Sequence, residues 1–578
     1  MLTPLKKNPL AHTLLVLLFF TAVFVVFFAP VLASGRLLAP GDGTVQSLPN
    51  FYGPRTLWDE MIWGGFPAVA DSQTMRWYPL TFLFSGLLGS WNVFVIVAYV
   101  LASCFAYGYA YTLTRSRLAA LVSGIVYGMS GFLLVHLCHV VIIHAMAWLP
   151  LLLWSLENLR RRFNAGWFVA GCLAVAGSLL SGHPQIPAYT LCLAAAYVLV
   201  RGRRALVGRW RFYGLSALLA VLGLGLAAIQ LIPTAELAGL SLRASLDFEA
   251  FVAYELPPRQ LPMLLFPYLF GGSPGSLYGV PYFGAWGSGI VDTWGPTELS
   301  GYIGLLPPML AAVGFTVYRR QPIPIFWLVV GVLSLLLALG SATPLAALVY
   351  HLPVLNKFRA PARHFAEMSL AVSVLAGYGA LAITRELARR RLINRVVIAG
   401  AGLMLACLAW VLFSADQLKA LAAAKGVVRL SLWPWVNPAV GVPLLVFAAA
   451  AAALLYWHRR PGSAPRRAVL VVVLVLDLAS FGWFCEWRFL SPDKSMTETP
   501  DFASGYKDAL AQTHQRLLPV RGALGRRGEF PPNVSKLWGL ASAGGYGPLM
   551  LSRVSRALSM VAYGAVDGSW QDDANRSL

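Results

Sequence analysis

Apolar stretches recur along the whole chain and are separated by short polar segments. A transmembrane helix needs about 20 mainly apolar residues, and hydropathy delimits about thirteen such stretches. They cover residues 11–34, 90–113, 118–135, 140–157, 165–181, 186–200, 213–233, 299–317, 322–340, 365–384, 396–414, 438–457 and 468–485. The pattern predicts an all-α polytopic membrane protein with about thirteen transmembrane helices, the least regular of which lie within 118–157 and 165–200.

The first apolar stretch allows two interpretations. Lys6 and Lys7 precede it and Val31-Leu32-Ala33 follows it, as in a cleaved secretory signal peptide. Its apolar run is longer than the central region of a normal signal peptide, so we predict an uncleaved membrane anchor.

Composition supports the membrane class and excludes several functions. Hydrophobic residues make up 58% of the chain and charged residues 12%, against about 25% charged residues in soluble domains. The chain has no Walker sequence, no GxGxxG at the start of a helix and no CxxC, so ATP-driven transport has no sequence support. Its six cysteines lie in or beside apolar stretches without paired spacing, which predicts packing residues rather than disulfides.

Charge predicts the orientation in the membrane. The chain has 45 Lys and Arg residues against 24 Asp and Glu residues. About half of the basic residues lie at the helix ends that alternate with the first loop, and only Glu157 and Glu386 accompany them. Because basic residues concentrate on the cytoplasmic side, we predict a cytoplasmic N-terminus and an extracytoplasmic first loop. The net charge of +21 therefore reflects topology and does not indicate nucleic-acid binding.

This topology divides the chain into two regions. Residues 1–485 form a multi-span domain whose outer loops are 35–89, 234–298, 341–364 and 415–437. Residues 486–578 form a small extracytoplasmic C-terminal region.

The first loop is acidic and aromatic. Asp42 lies between two glycines just after the first span, which lets a ligand or a helix approach its carboxylate closely. The alternative is a turn aspartate that binds its own backbone. The four aromatic residues of the loop are typical of an interfacial anchor, although such rings also stack on sugars. They are Trp58, Trp63, Trp77 and Tyr78.

Other polar residues flank the spans on the same predicted face. His136 and His139 are three residues apart and His144 follows, but no acid nearby in the sequence completes a metal site. The candidate substrate-lining residues are His139, His183, Gln185 and Glu236.

Cations also gather on this face, where positive charge is otherwise disfavoured. They are Arg243, Lys357, Arg359, Arg363 and His364. They could meet lipid headgroups, but a bound phosphate is the more specific interpretation. Asp477 lies inside an apolar stretch, where an ionisable group usually has a partner or a function.

Several segments resemble the bacterial YfhO family of membrane proteins when taken in order. They include "PGDG", "WGGFPAVADSQ", "SGHPQ", "IQLIPTAELAGLS", "LFPYLFGG", "YHLPVLNKFRAPAR" and "PNVSKLWGLASAGGYGPL". "E.SGYIGLLP", with a dot for any residue, is a further segment of this set. The resemblance covers nearly the whole chain, although relatives are expected to carry a larger outer C-terminal region.

The resemblance implies a GT-C-type glycosyltransferase fold and activity. Such an enzyme moves a sugar from a polyprenyl-phosphate carrier to a cell-envelope glycopolymer or lipid acceptor on the outer side of the bacterial inner membrane. The family pattern places the essential first-loop acid at Asp42, with Asp71 second. Arg243, Arg359, Arg363 and His364 are the candidate donor-phosphate ligands. A divalent metal ion between acid and phosphate is compatible with this chemistry.

Two other functions remain open. A lipid or polysaccharide transporter would have inverted repeats and broken helices at mid-membrane depth, and no clear repeat is present in the sequence. A non-catalytic envelope-assembly protein would use the outer loops for contacts only and would tolerate substitution of their carboxylates.

The predicted orientation can be tested by labelling. Cysteine substituted at position 60 or at position 530 should react with a membrane-impermeant thiol reagent added to intact cells. Failure to react at both positions would contradict the predicted topology.

Overall fold

The chain folds into a bundle of apolar helices. The computed structural model describes residues 9–243, 246–273, 275–278, 280–284, 297–459, 464–513, 515–518 and 533–563. Its main helices are α1 (Pro9–Leu32), α2 (Trp91–Thr114), α3 (Arg117–Gly128), α4 (Val140–Arg161), α5 (Ala165–Leu180), α6 (Gln185–Gly202), α7 (Arg209–Leu240), α8 (Leu306–Tyr318), α9 (Pro322–Ala338), α10 (Phe365–Thr384), α11 (Arg390–Phe413), α12 (Pro438–Arg459) and α13 (Ala464–Gly482). Each of the thirteen predicted stretches coincides with one of these helices.

Eight helical segments of the described chain are long and apolar enough to cross a membrane. Helices α5, α8 and α9 are apolar but shorter. The all-α polytopic class is therefore confirmed, whereas the total of thirteen crossings stays a prediction.

Short helical segments fill the connections. They include Gly43–Ser47, Leu48–Tyr52, Ser72–Thr74, Pro79–Thr81, Phe82–Leu87, Gly131–Val135, His136–Cys138, Phe248–Val252, Pro258–Leu264, Gly340–Ala342, Leu345–Tyr350, Leu355–Lys357, Pro361–His364, Ala415–Ala424, Glu486–Phe489, Lys494–Thr497, Asp501–Thr513, Val534–Lys536 and Ser552–Tyr563. Extended pairing within the described residues is limited to isolated bridges, such as the one between Asp59 and Phe66.

Helices α2, α3, α4 and α10 form the buried centre of the bundle, while α1, α7 and α11 lie at its periphery. Helices α8 and α10 pack closely against each other at Gly314 and Gly379. A Cβ atom on Gly379 would lie 2.0 Å from the carbonyl oxygen of Leu310, and one on Gly314 would lie 2.5 Å from the Gly379 nitrogen. Small residues allow this approach, as is usual between membrane helices.

Asp477 has a structural partner inside the bundle. Its carboxylate accepts hydrogen bonds from the backbone nitrogens of Leu305 and Leu306 and from the Tyr302 hydroxyl, at 2.7–3.0 Å. It thereby satisfies amide groups that the start of α8 would otherwise leave unpaired. The acid joins α13 to the segment 297–305, which leads into α8.

A second buried acid lies at the arginine-rich end of the bundle. Glu157 contacts Arg160, Arg161 and Arg201 at 2.8–3.2 Å and accepts a hydrogen bond from the Tyr197 hydroxyl. This arrangement neutralises part of the positive charge at the predicted cytoplasmic end.

The C-terminal region packs onto the first loop through residues 533–551, which we call the tail segment. The buried amine of Lys536 contacts Asp59 and donates a 3.2 Å hydrogen bond to Asn50. The backbone nitrogen of Trp63 donates a hydrogen bond to the carbonyl oxygen of Gly544 at 3.1 Å. Because the tail segment is fixed at several points, it forms one wall of the first loop.

Some sequence predictions remain untested. Lys6, Lys7, Arg460 and position 530 lie outside the described residues, whereas Glu60 is exposed. The boundary predicted between residues 485 and 486 also stays a prediction.

Candidate functional site

Asp42 lies where the chain leaves α1 and turns into the first loop. Gly41 has a φ of +53° that favours glycine, and both neighbouring glycines lie close to Cys138. Asp42 precedes the short helix Gly43–Ser47, but its carboxylate makes no capping hydrogen bond to that helix. The turn-aspartate interpretation is therefore not supported, because the carboxylate is directed to other partners.

Those partners come from distant parts of the chain. The Tyr546 hydroxyl of the tail segment donates to both carboxylate oxygens of Asp42 at 3.0 Å. His139 places Nε2 3.3 Å from Asp42 Oδ2. Burial, reinforced by the Asp42 carboxylate, raises the pKa of Tyr546 well above its ordinary value, so the phenol stays protonated and donates. The Asp42 side chain is 34% exposed and remains accessible.

A second cluster is built around the buried ion pair of Glu298 and Arg363. The guanidinium contacts both carboxylate oxygens, with a 2.9 Å bond from Nε. It also contacts Nε2 of His183 at 3.1 Å and the side-chain oxygen of Gln185 at 2.9 Å. Burial alone would raise the pKa of Glu298, but Arg363 and His136 hold it well below its usual range. Glu298 is therefore ionised, and Arg363 is largely neutralised.

Arg359 lies next to this cluster, but its side chain has a different partner. The backbone carbonyl of Arg359 accepts a hydrogen bond from the Gln185 side chain at 2.8 Å. The Arg359 guanidinium lies 5.4 Å from the ring centre of Tyr254. Arg359 and Arg363 do not share one helix face, because Ala360 has a φ of +66° and Arg359 therefore lies before the helical turn Pro361–His364.

Arg243 completes a group of three cations. Burial, together with the nearby charges of Arg359 and Arg363, lowers the pKa of Arg243 to about 9. Within the described part of the chain, no acid forms a salt bridge with Arg243 or Arg359. The charge of Arg359 also acts on the Tyr546 phenol. Two cations without acid partners therefore lie near the phenol that donates to Asp42, where an anion would relieve their repulsion.

Three predicted site residues are placed elsewhere. His364 is buried, contacts Glu367 at 3.1 Å and stacks on Tyr189. Glu236 is exposed near the end of α7. Asp71 is buried and accepts a 2.9 Å hydrogen bond from the Gln73 nitrogen, which caps the short helix Ser72–Thr74. Among the described contacts, none joins Asp71 to Asp42.

The first-loop aromatic residues are mostly core residues rather than an interfacial belt. Tyr78 is fully buried, contacts His144 at 3.2 Å and accepts from Trp148 at 3.0 Å. Trp63 is buried beneath the tail segment, whereas Trp58 is 50% exposed. The anchoring prediction is therefore wrong for Tyr78 and Trp63, because later parts of the chain cover both rings.

Sequence reasoning missed three important residues, namely Glu298, Tyr546 and Lys536. Each lies far along the chain from its partner, so neither spacing nor periodicity could pair them. A signal was nevertheless present. Glu298 opens "E.SGYIGLLP", while Lys536 and Tyr546 lie in "PNVSKLWGLASAGGYGPL", two of the segments that carry the family resemblance.

The fold is that of a multi-pass, all-α membrane protein. It is similar to the cryo-EM structure of mycobacterial arabinofuranosyltransferase AftD, with 14% identity, a TM-score of 0.49, and coverage of 94% of this chain and 33% of that one. It is also similar to the crystal structure of ArnT from Cupriavidus metallidurans bound to undecaprenyl phosphate, with 12% identity, a TM-score of 0.46, and coverage of 91% and 85%. The chain thus spans about a third of the length of AftD.

No protein-family profile and no curated protein sequence matches the chain. Membership of the YfhO family therefore stays a prediction. Identities of this size transfer no residue roles, so the roles of the site residues depend on the contacts within this chain.

The buried position of Asp71 predicts a specific pH dependence. Burial raises its pKa from 3.8 to about 6. Between these values the folded state keeps a proton that the unfolded state has lost, so stability falls as the pH rises, by about 3 kcal/mol in total. Asp71→Asn keeps a capping oxygen and does not titrate. We expect its Tm to exceed that of the unsubstituted protein above about pH 7 and to change less between about pH 5 and pH 7.

Thermal unfolding of the purified protein in detergent, followed by tryptophan fluorescence, measures this difference. Glu60→Gln is the control, because Glu60 is exposed in the same loop. A lower Tm for Asp71→Asn above about pH 7 would show that Arg76 and Lys536 stabilise the ionised form more than burial penalises it.

Proposed function

We propose that this protein is a GT-C-type membrane glycosyltransferase that uses a polyprenyl-phosphate-linked sugar donor. The acceptor would be a cell-envelope glycopolymer or lipid. The protein would act at the outer face of the bacterial inner membrane, with the first loop and the tail segment on that side. The observation that carries this proposal is the placement of Asp42, Arg243 and Arg359 around Tyr546, with no acid partner for either cation among the described residues.

Glycosyl transfer from a lipid phosphate requires both kinds of group. The acceptor hydroxyl attacks the anomeric carbon and gives its proton to a base, for which Asp42 is the candidate. The bond between the anomeric carbon and the phosphate oxygen breaks, and the lipid phosphate leaves with the electron pair. Arg243 and Arg359 would stabilise the charge that develops on this phosphate.

The surrounding contacts suit these two roles. Tyr546 and His139 hold the Asp42 carboxylate in one orientation while part of it stays exposed. Arg363 is already paired with Glu298, so its candidate role is to position the Arg359 segment through Gln185 rather than to bind phosphate itself. Preorganised charges of this kind need little rearrangement during the reaction.

The first prediction from this proposal concerns Asp42. Asp42→Asn keeps the size of the side chain and its capacity to accept from Tyr546, but it removes the base. A general base typically contributes about 10²–10⁴-fold in rate. In a deletion strain, the Asn variant should therefore behave like the empty vector, with accumulated polyprenyl-phosphate sugar and loss of that sugar from an envelope polymer. Mass spectrometry of both pools measures the outcome.

Glu60→Gln is the matched control and should restore the wild-type profile at equal membrane levels. Asp59→Asn is unsuitable, because Asp59 pairs with buried Lys536. Full activity of Asp42→Asn would exclude Asp42 as the base. A deletion strain with unchanged sugar pools would refute the transferase proposal itself. Movement of a glycolipid across the membrane without a change in its sugar would instead identify a transporter.

The second prediction concerns the donor phosphate. Arg243→Gln and Arg359→Gln should each weaken binding of a polyprenyl phosphate to the purified protein by about 10- to 100-fold, because a charge-assisted hydrogen bond contributes roughly 1.5–3 kcal/mol. Competition against a fluorescent polyprenyl-phosphate analogue in nanodiscs measures the affinity.

Arg429→Gln is the matched control, because Arg429 is exposed in the loop 415–437, which is predicted to lie on the same face. If all three variants lose affinity equally, the cations contact lipid headgroups and do not form a phosphate site.

A further inference from the structure

A divalent metal site can be inferred from a conflict between two hydrogen-bond acceptors beside Asp42. Nδ1 of His136 lies 2.8 Å from the carbonyl oxygen of Phe132. A carbonyl oxygen only accepts, so Nδ1 carries the proton. In a neutral ring, Nε2 then presents a lone pair, and this atom lies 3.3 Å from Glu298 Oε2. Both carboxylate oxygens of Glu298 already accept from the Arg363 guanidinium, so two acceptors face each other, and a positive species between them would satisfy both.

A proton on Nε2 would satisfy only the pair of His136 and Glu298. His136 is fully buried, and the Glu298 carboxylate also pairs with Arg363. A metal ion would accept the lone pairs of both the imidazole and the carboxylate, and it would also engage the ligand atom of His139, which lies within 4.8 Å of them.

The neighbouring residues provide further ligands. Ligand atoms of His136, His139 and Glu298 all lie within 4.8 Å of one another. Tetrahedral zinc with bonds of about 2.0–2.1 Å needs ligand atoms roughly 3.4 Å apart, so the most separated pair would approach by up to about 1.4 Å on binding. Asp42 lies against His139, and Cys138 Sγ lies 3.5 Å from His139 Nδ1.

The orientation of His136 is typical of a metal ligand. Metal-binding histidines usually donate their second ring nitrogen to a backbone carbonyl or a carboxylate, which fixes the tautomer. The bond from His136 to Phe132 has this form, and Asp42 is placed to do the same for His139. His144 is excluded from the group, because its ring contacts Tyr78 and stacks on Phe94.

We propose that His136, His139 and Glu298 bind one divalent transition-metal ion next to Asp42. Two imidazole nitrogens and one carboxylate favour Zn²⁺ or a similar ion over Mg²⁺ and Ca²⁺, which prefer oxygen ligands. Binding itself does not depend on sugar transfer. If the proposed transferase function holds, the ion would lie beside the candidate base and add positive charge near the acceptor hydroxyl.

The test is direct metal binding by the purified full-length protein after chelator treatment and dialysis. Zinc is added, and bound metal is counted by elemental mass spectrometry. We expect one equivalent of Zn²⁺ per chain at protein concentrations on the order of 10 μM. His136→Ala and His139→Ala should each weaken binding by at least about 100-fold, since even second-shell changes cost 10- to 100-fold. His351→Ala is the matched control, because His351 is an exposed histidine far along the chain.

A second measurement protects the test against misfolding of the His136 variant. Co²⁺ used in place of zinc should give a visible d–d absorption band that is lost in His139→Ala, whose ring is only partly buried. Absence of bound zinc, or equal binding by the two site variants and the unsubstituted protein, would overturn the proposal and leave a protonated His136 as the solution. If the Asp42→Asn variant binds the metal but transfers no sugar, the metal proposal stands. If the unsubstituted protein transfers sugar but binds no metal, the metal proposal is overturned and the transferase proposal stands.

Discussion

The buried ion pair between Glu298 and Arg363 is the interaction on which the site depends. It joins the segment before α8 to the start of α10, and through His183 and Gln185 it includes the turn between α5 and α6. Placing two charges in a dry interior costs several kcal/mol per ion unless the geometry and additional hydrogen bonds offset the cost. Here the additional hydrogen bonds come from side chains that no local segment could supply. The pair therefore requires the whole bundle to be assembled around it.

The segment that carries Glu298 is itself fixed by hydrogen bonds to other parts of the bundle. Asp477 binds the backbone at Leu305 and Leu306, and the Gly131 nitrogen donates to the carbonyl oxygen of Tyr302 at 2.8 Å. Two buried acids thus act one after the other: Asp477 fixes the backbone of the segment, and Glu298 fixes the Arg363 guanidinium. Because Glu298 neutralises only Arg363, the charges of Arg243 and Arg359 remain uncompensated within the described residues. The distribution of charge, and not the number of arginines, distinguishes this end of the bundle from the Glu157 cluster at the other end.

Hydropathy predicted the positions of the main helices, because each is an apolar run bounded by charged or turn-forming residues. Hydropathy was less accurate for those helix ends whose positions depend on polar contacts. Helix α7 extends to Leu240, beyond the predicted residue 233, and Gln230 and Thr234 bind the first-loop carbonyls of Val69 and Ala70. Helix α8 begins at Leu306, later than predicted, where Asp477 satisfies its first amides.

The candidate site was predicted in part for a similar reason. Polar residues near helix ends could be identified in the sequence, because they flank the apolar stretches. They include Asp42, His139, Arg243 and Arg359. Which cation is neutralised, and which histidine faces an acid, depends on contacts between residues that are 65 and 162 positions apart in the chain. Such contacts leave no periodic signal in a single sequence.

The docking of the tail segment has a consequence for how the protein is made. Asp42 is synthesised 504 residues before Tyr546, which donates to its carboxylate. All thirteen main helices precede Tyr546 in the chain. At a translation rate of about 5–20 residues per second, the Asp42 carboxylate would lack its phenol donor for roughly half a minute or more after its own synthesis. The complete Asp42 environment can therefore form only after all thirteen main helices have been synthesised, and a ribosome that stalls between Gly482 and Tyr546 would leave an inserted bundle in which Asp42 lacks this partner.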